Sequence, residues 1–318
     1  MNPALIAVFL VAAQASSGHY ALAALRPSES SESLATYRAA APASAVAIPI
    51  PQLPQKIGTA IGAVEELGPV ITAESAVVID GASGAVLFGK RPYTVRPLAS
   101  ITKLIGALTV VRDGPDFTAL IEVIPNDIPE EGHTILRPGD TVTIADLLTA
   151  MLVRSDNGAA RALVRGHEAL EGVFPEIAER VARSVGAPTV RFKDPAGLSP
   201  ENVGTAIDAA RVLRAALEDQ AIATRLRMDR ATIDAHQPQR RALSVVTTNR
   251  LLRDGVAHAF RITGGKTGYL DESGYNLALA VERGGHEVIV VILGSTSDDD
   301  RFRDARVLAD WTFKNYEW

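Results

Sequence analysis

What most constrains this 318-residue chain is where its strand-forming segments fall. They lie at the two ends of its folded part, with a long stretch of helix-forming sequence between them. Residues 75–80 (SAVVID) and 85–89 (AVLFG) are apolar runs separated by Gly81-Ala82-Ser83-Gly84, which reads as a hairpin. Near the other end, residues 259–263, 275–282 and 287–293 read as three more strands, the last two joined by Arg283-Gly284-Gly285-His286. Between these sets, helices are expected at 101–111, over 143–165 with a break near 155–158, at 171–185 and at 205–217. The last of these is opened by a capping box at Thr205 and Asp208. A closing helix is expected over 299–313. A lone hairpin is marginal in water, so the two distant sets gain most by pairing with each other. The expected fold class is α+β: one five-stranded antiparallel sheet flanked by helices, with an inserted helical lobe and a groove where the two lobes meet.

The N-terminal part reads differently. Residues 3–13 (PALIAVFLVAA) are small and apolar throughout, about half the length a membrane-spanning helix needs. Ala13-Gln14-Ala15 offers a cleavage site, although no Lys or Arg precedes the run. Residues 1–25 are therefore expected to be a signal peptide or an uncleaved anchor. The protein would then work in the periplasm or another extracytoplasmic wall space, touching a membrane only through that end. Residues 26–70, rich in Ser, Ala and Pro without helical or strand period, read as a linker, and 71–318 as the working domain.

Composition removes several chemistries. There is no cysteine, which excludes disulfides, a thiolate nucleophile and cysteine zinc sites. A net charge of −5 argues against a nucleic-acid partner. The six histidines form no H-E-x-x-H or H-x-H pattern, so no metal and no other cofactor is expected. The basic residues are overwhelmingly arginine, and this gives the few lysines weight. A desolvated lysine can release its proton, whereas arginine keeps it.

Two of those lysines sit in short motifs. Ser100-Ile101-Thr102-Lys103 opens a predicted helix, and three-residue spacing puts Ser100 and Lys103 on one face. A serine hydroxyl needs a base within reach, and a neutral lysine can be that base. The helix start also presents free backbone N–H groups to a developing oxyanion. Ser155-Asp156-Asn157 would project a hydroxyl and an amide from the break between two helices. Lys266-Thr267-Gly268 follows Gly264-Gly265 on a predicted strand and offers a cation and a hydroxyl suited to a carboxylate. All three in this order arise by chance in roughly one chain in a thousand.

This set resembles that of penicillin-binding proteins and class A β-lactamases. Across about residues 72–316 the chain is similar to the low-molecular-mass D-alanyl-D-alanine carboxypeptidases of serine peptidase family S11. The similarity includes Pro97-Leu98-Ala99-Ser100-Ile101-Thr102-Lys103, the run from Asp194 to Val203, Thr248-Asn249-Arg250-Leu251-Leu252 and Gly265-Lys266-Thr267-Gly268-Tyr269. The resemblance implies a β-lactamase/transpeptidase-like fold, a peptidoglycan stem peptide as substrate and β-lactam antibiotics as covalent inhibitors. It implies Ser100 as the acylated nucleophile, Lys103 as general base and Ser155 as proton relay. Asn157, Lys266, Thr267, Gly268 and Tyr269 would bind substrate, with the N–H groups of Ser100 and Tyr269 forming the oxyanion hole.

Two departures stand out. Asp156 replaces the glycine common in the family's S-x-N, and the chain stops at Trp318, where many relatives continue into a β-rich domain and an amphipathic anchor. Any tether is then expected at the N-terminus. An alternative is a D,D-endopeptidase that cuts peptidoglycan cross-links with the same machinery, a difference that lies in groove shape. A β-lactamase would need an E-x-x-L-N segment where Val190-Arg191-Phe192-Lys193-Asp194-Pro195 stands. An inactive wall-binding module would not need Ser100 and Lys103 intact.

Overall fold

The hairpin expected near residue 80 forms from Ser75–Asp80 (β1) and Val86–Lys90 (β2), paired antiparallel. In this computed structural model the described residues are 53–57, 68–170, 172–253 and 259–318, all within one unit spanning Ile50–Trp318. After the hairpin come helix Lys103–Arg112 (α1), strands Leu120–Glu122 (β3) and Thr141–Thr143 (β4), and helices Ile144–Thr149 (α2), Asn157–Arg165 (α3), Phe174–Ser184 (α4), Ala206–Glu218 (α5) and Gln220–Leu226 (α6). Strands Arg230–Ala235 (β5) and Arg241–Val246 (β6) follow, then Arg261–Leu270 (β7), Gly274–Arg283 (β8) and His286–Ser295 (β9), and finally helix Asp298–Asn315 (α7).

The main sheet has the order β7-β8-β9-β1-β2, with every neighbouring pair antiparallel. The two chain ends therefore do supply one five-stranded sheet. Its central strands read as unbroken apolar runs because both faces are covered. Val77, Ile79, Ala278, Ala280, Ile289 and Val291 pack into the core shared with the inserted lobe. Their alternate neighbours Ala76, Val78, Leu277, Leu279, Val288 and Val290 pack with Phe302, Ala305, Leu308 and Ala309 of α7. The period of two along each strand thus splits the side chains between two cores.

Three expectations need correction. The insertion is not purely helical: it also holds a four-stranded sheet of order β3-β4-β5-β6. Strands of three residues such as β3 and β4 are too short for a period to register, and β5 and β6 expose Arg230, Thr232, Ala242 and Ser244 on one face while burying Ile233, Ala235 and Val245 on the other, a half-solvated arrangement. The expected linker contains a strand: Gln55–Lys56 pairs with Tyr316–Glu317, and Ile57 N–H donates to the Asn315 carbonyl at 2.9 Å. Residues 1–52, including the expected signal segment, and 58–67 lie outside the described residues. Finally, the Thr205 cap is half a box. Thr205 Oγ1 accepts from Asp208 N–H at 3.2 Å, but the Asp208 carboxylate turns away to Thr189 N–H at 2.8 Å. Among the described residues, no helix is long and apolar enough to cross a membrane.

Candidate active site

The nucleophile candidate sits where α1 begins. A 3-10 turn, Ala99–Thr102, leads into the helix, and Ser100 is its second residue, so the Ser100 N–H precedes any intrahelical acceptor. Ala99 adopts φ +50°, an unusual conformation for a residue with a Cβ, and is fully buried. Two glycines allow neighbouring chain to close on this turn. A Cβ on Gly268 of β7 would lie 2.9 Å from Leu98 O and 3.2 Å from Ser100 N, and a Cβ on Gly197 (φ +74°) would collide with Ala99 O. Strand β7 therefore passes directly beside the amide of Ser100, and the 194–199 loop covers its other side.

Lys103, in the first turn of α1, is fully buried. Its Nζ is 2.8 Å from Ser100 Oγ, donates to Asn157 Oδ1 at 2.7 Å and also bonds the Ala196 carbonyl. Burial takes its amine from the ordinary 10.5 down to about 7. Asp194 and Asp156 work against that shift, and Arg161 adds to it.

The second motif lies at the end of a π-helical turn, Ala150–Arg154, that prolongs α2. Such turns are rare and frequently mark functional sites. Ser155 then breaks the helix with φ +64°, and Asn157 begins α3. Asp156 has a structural job in this chain. Its carboxylate caps α3 at Ala159 N–H (2.8 Å) and receives Thr134 Oγ1–H and Ile135 N–H, each at 2.8 Å. A glycine there would leave the 132–135 loop without that anchor.

The third motif lies on β7. Lys266 is 1% exposed. Its Nζ donates to Ser155 Oγ at 2.7 Å and to the Thr267 carbonyl at 2.9 Å. Burial, with Lys103 and Arg301 nearby, pushes this amine well below the ordinary lysine value. That modifies its expected part: Lys266 is a buried partner of Ser155 rather than a cation facing the groove. Thr267 Oγ1 is 2.5 Å from Thr248 Oγ1. Tyr269 follows with a half-exposed ring whose hydroxyl donates to Asp271 at 2.6 Å.

Ser100, Lys103, Asn157, Ser155, Lys266, Thr267 and Gly268 are thus brought together by hydrogen bonds and close backbone approach. Sequence reasoning missed the supports. Asp194 accepts from Ala196, Leu198 and Ser199 N–H at 2.8–3.2 Å and thereby fixes the carbonyl of Ala196 on Lys103. Asn202 accepts from Asp194 N–H at 3.2 Å, donates to its carboxylate at 3.0 Å, and gives its own carbonyl to Leu98 N–H at 2.8 Å. Arg301 of α7 donates to the Gly268 carbonyl at 2.9 Å. The Asp194–Val203 resemblance marked the first two; nothing local marks Arg301. Among the described residues, no group of three or more His, Asp or Glu could hold a metal ion.

Comparison with known proteins bears on the family and the fold. The family model of D-alanyl-D-alanine carboxypeptidases, peptidase S11, matches residues 63–297. A D-alanyl-D-alanine endopeptidase of Pseudomonas aeruginosa is 29% identical over 246 residues, covering 76% of this chain and 77% of the relative. A D-alanyl-D-alanine carboxypeptidase of Escherichia coli is 28% identical, over 78% of this chain and 63% of the relative. The crystal structure of a D-alanyl-D-alanine carboxypeptidase from Mycobacterium tuberculosis superposes with a TM-score of 0.71 at 25% identity, covering 80% of this chain and 95% of that one.

Proposed function

The chain belongs to serine peptidase family S11, the D-alanyl-D-alanine carboxypeptidases, and from that premise we propose that Ser100 is the nucleophile that removes terminal D-alanine from peptidoglycan stem peptides. The family makes the chain a serine D-Ala-D-Ala peptidase that acts on peptidoglycan peptides and is open to β-lactams. The observation that carries the residue assignment is the Ser100 Oγ to Lys103 Nζ distance of 2.8 Å, with the amine fully buried and held near neutrality.

A neutral amine has two N–H bonds and one lone pair. Asn157 Oδ1 and the Ala196 carbonyl accept the two hydrogens of Lys103, which leaves the lone pair aimed at the Ser100 hydroxyl. Lys103 takes that proton as Ser100 Oγ bonds to the carbonyl carbon of the penultimate D-Ala. The oxyanion is met by the N–H groups of Ser100 and Tyr269, on the two segments that Gly268 allows to touch. As the tetrahedral intermediate collapses, the proton passes to the leaving nitrogen, and the Ser155–Lys266 pair serves as relay. Thr267 and Thr248 present hydroxyls to the terminal carboxylate. Water then hydrolyses the ester with Lys103 again as base. Penicillins enter by the same route and leave a long-lived ester.

The substrate lies in the wall, so this work is done outside the cytoplasm, and export through residues 1–25 is part of the proposal. A second reading, cleavage of D-Ala cross-links, is favoured by one observation: the relative matched over the larger share of its own length is an endopeptidase. Product analysis on purified muropeptides separates the two. Free D-alanine supports the carboxypeptidase reading, resolved dimers support the endopeptidase reading, and neither product refutes both.

A further inference from the structure

Two irregularities of the backbone bracket the Ser155–Lys266 hydrogen bond. On one side is the π turn Ala150–Arg154, which ends at Ser155. On the other, the pairing of β7 with β8 slips between Ile262 and Gly264, a bulge that ends two residues before Lys266. Irregularities of both kinds re-aim side chains and gather beside active sites. One short helix, α6, packs against both segments.

Arg225 carries the grip of α6 on the helix that runs into the π turn. Its guanidinium donates from Nε to Thr149 Oγ1 at 2.9 Å and from Nη2 to the Ala145 carbonyl at 3.0 Å. Its Nη1 donates back to the Ala221 carbonyl of its own helix at 2.7 Å. Thr149 Oγ1–H in turn donates to the same Ala145 carbonyl at 2.8 Å. Thr149 is the residue at which α2 gives way to the π turn. Asp146 and Asp219 lie near Arg225, yet among the described residues it forms an ion pair with neither, and its hydrogen bonds go to uncharged oxygens. A planar fork used in this way fixes a direction rather than neutralising a charge. The next residue of α6 makes the contact with β7. Leu226 is buried, and a Cβ on Gly264 would lie 3.3 Å from Leu226 Cβ. Consecutive residues of α6 thus meet the two segments whose separation decides whether Lys266 reaches Ser155, a gap closed at 2.7 Å.

We propose that Arg225 is a positioning residue for acyl transfer: by gripping Ala145 and Thr149 from the helix that backs Gly264, it holds Ser155 within reach of Lys266. The inference rests on the Ser155–Lys266 pair being the relay to the leaving nitrogen, and it adds the group that keeps this relay in place.

A change of leaving group tests it. An amide nitrogen departs as an amine only when a proton reaches it as the C–N bond breaks. The sulfur of a thioester departs as a thiolate, and the proton taken from Ser100 stays on Lys103. Two substrates are compared within each enzyme: acyl-D-Ala-D-Ala and the thioester in which mercaptoacetate replaces the terminal D-alanine. The readout is the ratio of their kcat/KM values, peptide over thioester, in which the amount of folded protein cancels. Ser155→Ala, which removes the relay, should lower the ratio about 100-fold. Arg225→Gln should lower it about tenfold, as for a relay displaced rather than lost. Thr149→Val, which takes away the acceptor of Nε without changing any charge, should lower it about threefold, the effect of one hydrogen bond. A ratio that falls in Ser155→Ala and holds in Arg225→Gln overturns the proposal, and equal losses on both substrates are that outcome, since they mark a residue that only stabilises the fold. Should Arg225→Gln not fold, an unchanged ratio in Thr149→Val overturns it alone. An unchanged ratio in Ser155→Ala removes the relay itself and the proposal with it, so that variant tells the two failures apart.

Discussion

Replacing Lys103 by arginine keeps the positive charge and removes the base. Burial takes the Lys103 amine from 10.5 to about 7, so about half of it is neutral at neutral pH. A guanidinium holds its proton far more tightly than an amine, so the same burial would leave no more than about one in a hundred neutral at pH 7. Acylation of Ser100 should therefore fall by at least about 50-fold in Lys103→Arg, the bulk of it in the rate constant for ester formation rather than in penicillin binding. The assay is the time course of labelling by a fluorescent penicillin over a range of concentrations, which separates the two. Thermal melting of the same preparation reports whether the larger side chain has been accommodated at this fully buried position. Folded Lys103→Arg enzyme that acylates within threefold of wild type would refute the argument, and the base would have to be sought at Lys266.

Three further outcomes follow from the same geometry. The wild-type acylation rate should rise with pH through a midpoint near 7 as Lys103 loses its proton, and a profile flat from pH 5 to 9 would contradict a lysine base. Gly268→Ala should slow acylation at least about tenfold while the protein still melts cooperatively, since the new Cβ meets Leu98 O and Ser100 N at 2.9 and 3.2 Å; unchanged labelling would mean β7 does not form the oxyanion site. Asp156→Gly should cost about 2–4 kcal/mol in urea unfolding, from a lost helix cap and two lost loop bonds, and should move the acid limb of acylation to lower pH because a charge that raises the Lys103 pKa is gone; a limb moving the other way would contradict the electrostatics.

How much was legible in the sequence depended on how local the physics was. Ser100 and Lys103 could be paired from helix spacing alone, and the two strand sets could be joined because the N-terminal hairpin is marginal in water by itself. The burial of Lys266 was not legible. In sequence it is a lysine after two glycines, and only the packing of β7 between its neighbours turns it from a surface cation into a desolvated partner of Ser155. The acceptor that orients Lys103 is a main-chain carbonyl 93 residues away, and a carbonyl carries no residue signature. Asp156 looked like a departure from a pattern, and its reason emerged only with the loop it anchors. The second sheet went unread because β3 and β4 are three residues each, too short to show a period.

The most direct trial of the whole account is to incubate the purified protein with a penicillin, digest it and locate the added mass. The account predicts one equivalent of penicilloyl ester on the peptide containing Ser100, absent from Ser100→Ala. A protein that takes up no label, or takes it up on another residue, would contradict it.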